Sequence, residues 1–180
     1  MSTAEAAEPS APADARPLLR RGLFLGAALS VLALDQLTKG LVRAFMERGE
    51  AWPDGWSVRL HYVTNTGAAF GILEDQTGFL IVTTLIGLAA IYLYYRYPPF
   101  DHLLATVAIG MMLGGAVGNL VDRLRLGRVT DFIDFPLWPA FNVADSAITL
   151  GIAALILGYA LFAERPPPGS AREDAPADRG

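Results

Sequence analysis

Asp131 and Asp145 stand 14 positions apart, on either side of a short stretch carrying Pro136 and Pro139. Such a stretch can fold back and bring the two acids together. Two carboxyl groups held close cannot both ionise, so they share a proton. The ionised one activates a water as general base. The protonated one polarises a carbonyl and later protonates the leaving amine. This is amide hydrolysis that calls for no metal. Ser146, next to Asp145, raises a rival: a serine nucleophile served by Lys39. It sits in no nucleophile motif. The 180-residue chain has no cysteine, which excludes thiol catalysis, disulfides and thiolate metal sites. Its two histidines, His61 and His102, lie far apart, which disfavours a zinc site or a Ser-His-Asp triad. No metal and no cofactor are expected.

The elements that must position these acids follow from where the apolar residues fall. The chain is 53% hydrophobic and 18% charged, with a mean hydropathy of +0.37. That excludes a disordered chain, which needs low hydrophobicity and high charge. A net charge of −4 leaves no basic footprint for nucleic acid. Residues 23–45, 78–95, 103–121 and 141–162 form four apolar runs. Each is near the ~20 residues a helix needs to cross a bilayer. Lipid supplies no hydrogen bonds, so the backbone must satisfy itself as helix. The fold expected is an all-α membrane protein, a four-transmembrane-helix bundle. Small residues such as Gly114 and Gly118 allow its helices to approach closely.

Residues 1–15 and 166–180 are rich in Ala, Pro and acids, and 1–22 and 164–180 read as disordered tails around a membrane domain at 23–163. A cleaved signal peptide fits poorly, because the first run continues past Asp35 and Lys39 for a full membrane thickness. Arg16, Arg20 and Arg21 place the N-terminus in the cytoplasm, and four spans return the C-terminus there. Segment 46–76, with strand-like Val, Tyr and Thr before an Asn65-Thr66-Gly67 turn, reads as a small periplasmic β element. Trp52 and Trp56 suit the headgroup region.

Ionisable groups inside the spans cost at least a few kcal/mol in lipid and so mark function by default. Asp35 and Lys39, at i and i+4, share a helix face and read either as a structural ion pair or as a substrate contact. Asn142 and Asp145 read either as a helix cap or as part of a site. Asn119 and Arg123 share a face, and Asp122 and Arg123 read as a local ion pair. Asp134, in VTDFIDFPLW with Asp131, reads as a loop residue.

Four blocks carry a resemblance: DQLTK (35–39), NTGAAFG (65–71), GGAVGNLVDRL (114–124), and VTDFIDF with FNVADSAI (129–135 and 141–148). In this order, among four spans, they make residues 20–163 resemble bacterial lipoprotein signal peptidase, or signal peptidase II. The resemblance implies an aspartic endopeptidase of the inner membrane, with its active site near the periplasmic face. It implies prolipoprotein substrates bearing a diacylglyceryl cysteine, cut just before that residue, with membrane lipids as surroundings and no oligomer required. It places the catalytic pair on Asp131 and Asp145. It gives Asn65, Gly67, Asn119, Arg123 and Asn142 polar or close-approach contacts, and gives Asp35, Lys39 and Asp122 supporting roles. The stretch PLWPA before Phe141 is short for the pattern. Two other classes bear on the same residues. A proton-coupled transporter would use Asp35, Lys39 and Asp145 as a relay, and an assembly factor would use the charges only to hold helices.

Overall fold

The computed structural model describes residues 15–66, 76–98 and 102–162. The apolar runs become helices α1 (Ala15–Phe45), α2 (Thr77–Arg96), α3 (Leu103–Leu126) and α4 (Val143–Phe162). All four are long and apolar enough to cross a membrane. Their outward leucines, Leu25, Leu29, Leu37 and Leu41 of α1 among them, are exposed. In lipid that apolar exterior is the solvated face.

Helix ends depart from the apolar runs where local chemistry overrides hydropathy. α1 starts at Ala15, so residues 15–22 are helix and not the tail expected up to residue 22. Pro17 falls in its first turn, where a missing N–H has no intrahelical partner to lose. α3 runs on from residue 121 to Leu126, and Gly127 closes it at φ 69°, a left-handed conformation that glycine adopts without strain. Its amide donates to the carbonyl of Arg123 at 3.0 Å.

Segment 46–76 supplies only half of the β structure. Strands β1 (Ala51–Trp52), β2 (Arg59–Asn65), β3 (Val129–Phe135) and β4 (Trp138–Phe141) form one antiparallel sheet in that order. The proline-bearing stretch between Asp131 and Asp145, expected as an irregular excursion, is therefore mostly the hairpin β3–β4. The β-branched and aromatic residues of VTDFIDF favour a strand. Pro139 is tolerated because β4 is the sheet edge. β2 and β3 pair from Asn65↔Val129 to Arg59↔Asp134. Val42, Tyr62 and Phe132 form a buried cluster with Met46, Ile133 and Val143 against it, seating the sheet on the adjoining ends of α1 and α4.

α3 is the central helix, and its glycines make that possible. A Cβ at Gly110 would lie 2.5 Å from the Phe24 carbonyl oxygen, and one at Gly115 2.5 Å from that of Ala144. One at Gly114 would overlap the Ala28 carbonyl. At Gly118 it would lie 2.5 Å from the Asp35 carboxylate. Backbone-to-backbone contact thus holds α1 and α4 against α3. At the sheet end of this packing the interior is polar: Asp35, Lys39, Asn119, Asp122, Thr130, Asp131 and Asn142 are all buried.

Candidate active site

Asn142 precedes α4 and caps it. Its side-chain oxygen accepts from the amide N–H of Asp145 at 3.1 Å, and the Asp145 carboxylate accepts from the Asn142 N–H at 3.3 Å. This reciprocal pair satisfies a free donor at the helix start and fixes Asp145 in the first turn. The same Asn142 donates its side-chain amide to Asp131 Oδ1 at 2.7 Å. One residue therefore grips both acids. Asp131 comes from the centre of β3, where the strand crosses β2, and Asn65 of β2 donates to its other oxygen at 3.0 Å. The capping reading of Asn142 and Asp145 holds, and through Asn142 the cap reaches Asp131.

Behind these groups stands a buried ionic layer. Lys39 Nζ lies 2.9 Å from Asp35 and 3.6 Å from Asp122, all with side chains at most 2% exposed. It also donates to Asn119 Oδ1 at 2.8 Å. That bond orients the Asn119 amide so that its nitrogen donates to Asp145 Oδ1 at 2.8 Å. Asp35 Oδ1 accepts from the Ala144 N–H at 3.0 Å, so α1 caps α4 from outside. Asp122 accepts from the Thr130 N–H at 3.0 Å and so fixes the start of β3. Among the described residues, no buried side-chain polar atom lacks a hydrogen-bond partner.

Asp131 and Asp145 line one cavity of about 550 Å³, with Asn65, Asn119 and Arg123 on its wall. Burial first, and the charge of Asp145 second, raise the Asp131 carboxyl to about 6. Hydrogen bonds from Asn65 and Asn142 and the charge of Lys39 oppose the rise. Such a carboxyl can hold a proton or give it up near neutral pH. Arg123, on α3, faces this space with no hydrogen bond or ion pair holding its guanidinium among the described residues. Among the described residues, no three His or carboxylate side chains converge as metal ligands.

A family model described as signal peptidase II matches residues 27–161, a span that encloses every residue of the cluster. The chain belongs to the signal peptidase II family. A lipoprotein signal peptidase of Moorella thermoacetica is 46% identical over 133 residues, covering 73% of this chain and 89% of the relative. One from Shouchella clausii is 49% identical over 133 residues, covering 72% and 87%. A solved bacterial membrane enzyme structure superposes with a TM-score of 0.72 at 32% identity, covering 77% of this chain and 88% of that one. Signal peptidase II is a protease family, and this member is a multi-pass membrane protein by its four spans.

Within that frame the expected residues fall into two layers. Asp131, Asp145, Asn65, Asn119 and Arg123 line the cavity, and Asn142 lies fully buried just behind its two acids. Asp35, Lys39 and Asp122 lie behind, too deeply buried for substrate contact. Gly67 lies outside the described residues. Two expectations are corrected. Asp122 makes no ion pair with Arg123. Adjacent residues on a helix do not face each other, and Asp122 instead turns to Lys39 and to Arg43 at 3.5 Å. Asp134 is no loop residue: it lies in β3 and holds Arg59 at 2.7 Å and His61 at 3.2 Å. The serine–lysine rival fails on geometry, because Ser146 donates to the Asn142 carbonyl at 2.9 Å while Lys39 is bound to Asp35 and Asn119. The transporter reading fails as well. Asp35, Lys39 and Asp145 join one cluster at the sheet end, instead of stepping across the bilayer.

Gln36, Arg43 and Thr130 belong to the network but were not singled out. Gln36 donates to Asp35 at 3.1 Å and to the Gly118 carbonyl at 3.1 Å. Arg43 donates to Thr130 at 3.0 Å. The signal was present: Asp35, Lys39 and Arg43 recur every fourth residue, a polar stripe down an apolar helix.

Proposed function

We propose that Asp131 and Asp145 are the catalytic pair of a lipoprotein signal peptidase, which cuts a prolipoprotein just before its diacylglyceryl-modified cysteine. The observation that carries this reading is the double grip of Asn142, which sets both carboxyls on the wall of one cavity. The ionised carboxylate takes a proton from water as the oxygen attacks the scissile carbonyl. The protonated partner hydrogen-bonds the carbonyl oxygen. Collapse of the tetrahedral intermediate breaks the C–N bond. A carboxyl then delivers the proton to the leaving amine, and the pair returns to one shared proton. Arg123, a planar fork free to meet an incoming carbonyl, holds the peptide backbone. Asn65 meets the substrate at the cavity wall, and Trp52 and Trp56 sit at the headgroups. The sheet end faces the periplasm, with both termini in the cytoplasm.

The test is cleavage of a diacylglyceryl-modified precursor by purified Asp131→Asn and Asp145→Asn variants that insert normally. Each should lose at least ~10³-fold in kcat. Activity near that of the unaltered chain in either variant would remove this pair from the mechanism.

A further inference from the structure

Asn65 and Asn142 hold the Asp131 side chain from the cavity side. The strand that carries it is held from behind. Side chains alternate along a strand, so Val129 and Asp131 face the cavity while Thr130 and Phe132 face the helices. Phe132 packs on Val42 of α1. Apolar contact of this kind has no direction. Thr130 supplies the direction. Its N–H donates to Asp122 Oδ2 at 3.0 Å, and its hydroxyl accepts from Arg43 Nη1 at 3.0 Å.

Arg43 stands in the last turn of α1, where the helix dipole favours a cation. Its guanidinium bridges two elements, reaching Thr130 on β3 at 3.0 Å and Asp122 Oδ1 on α3 at 3.5 Å. A planar fork of donors suits such a bridge. Charge gives it a second task. Lys39 lies closer to Asp35 than to Asp122, at 2.9 against 3.6 Å. Arg43 gives Asp122 a cation of its own, so Lys39 stays on Asp35 and on Asn119. Each acid thus has an anchor in α1. Asp35 caps α4, which carries Asp145, and Arg43 ties down the start of β3, which carries Asp131. Arg43 is not on the cavity wall, so its influence on chemistry passes through Thr130 and Asp122. We propose that Arg43 is a positioning residue for the reaction, holding β3 from behind through Thr130 so that Asp131 stays in register with Asp145. This rests on the peptidase reading above. A shifted acid raises the barrier while leaving the substrate's own contacts in place, so the loss belongs in kcat and not in KM.

The experiment uses the full chain in detergent micelles with a diacylglyceryl-modified precursor. Arg43→Met keeps an apolar stem and removes the donor. Thr130→Val keeps the branched shape and removes the acceptor. Each should lower kcat about tenfold with KM unchanged, since small misplacement at the reacting bond is costly. In the double variant the two losses should not multiply, because both changes break one bond. Thr130→Ser keeps the hydroxyl and should recover most of the rate that Thr130→Val loses. An unchanged kcat, a raised KM, losses that multiply, or Thr130→Ser as slow as Thr130→Val overturns the assignment. If Arg43→Met does not fold, the comparison of Thr130→Val with Thr130→Ser decides alone. Hydrogen exchange reads the hold without catalysis: in Thr130→Val and Arg43→Met, amides of 129–132 should exchange about tenfold faster while those of α2 stay as they were. Unchanged exchange there overturns the assignment too. An unaltered chain that cuts no lipidated precursor, with β3 loosened in the variants, sinks the peptidase reading and leaves the hold on β3 standing.

Discussion

Asp131 sits where folding and chemistry pull in opposite directions. Its carboxyl is raised from 3.8 to about 6 in the folded chain, by burial first and by Asp145 second. The folded state therefore binds the proton more tightly than the unfolded one. Stability from this group is fully present below about pH 4 and is lost as pH rises through 6. The shift corresponds to about 3 kcal/mol. Thermal unfolding in detergent should show this falling component between pH 4 and 6, and Asp131→Asn should flatten it. A slope unchanged in the variant would place the titration elsewhere. Lys39 is the counterpart in the buried layer, facing Asp35 and Asp122. Lys39→Met leaves the buried Asp35 carboxylate without its cation and Asp122 with Arg43 alone, and should cost about 3–5 kcal/mol. The paired change Asp35→Asn with Lys39→Met should recover part of that loss in the same melts. If Lys39→Met melts like the unaltered chain, the ion layer contributes no net stability.

At the scale of elements, the glycine face of α3 sets the spacing on which the site depends. Gly118→Ala would push a methyl group against the Asp35 carboxylate, which itself caps α4 through Ala144. Overpacking of this kind costs about 1–3 kcal/mol. It should also lower kcat, because α4 carries Asp145. Gly87→Ala should leave both stability and turnover nearly unchanged, since its Cβ meets open space. Comparing the two by melting temperature and cleavage rate separates a packing glycine from one that faces open space. Similar losses in both would mean that α2 packs more tightly than its contacts indicate.

Across the whole molecule, the bundle was legible in the sequence because lipid leaves the chain few choices. Four runs of about 20 apolar residues must be helices, and charged groups among them stand out by their cost. Asp35, Lys39 and Asp145 were visible for that reason. The sheet was less legible. β2 finds its partner more than 60 residues away, as Asn65 opposite Val129, and no local pattern announces such a pairing. β4 is four residues long and carries a proline, which reads as a loop until its edge position is known. Asp134 was misplaced for the same reason, since its strand shows itself only through β2. The partners of Asp122 were hidden because helix adjacency suggested Arg123, while the real contacts arrive from another helix.

The cap that α1 places on α4 sets an order of events. Asp35 is among the first membrane residues to be made, and Ala144 and Asp145 are among the last. Neither acid has its full set of supports until the fourth span has joined the first and third. On the proposed reading, a polypeptide whose fourth span has not yet docked is inert, and activity begins only when that span meets the first and third.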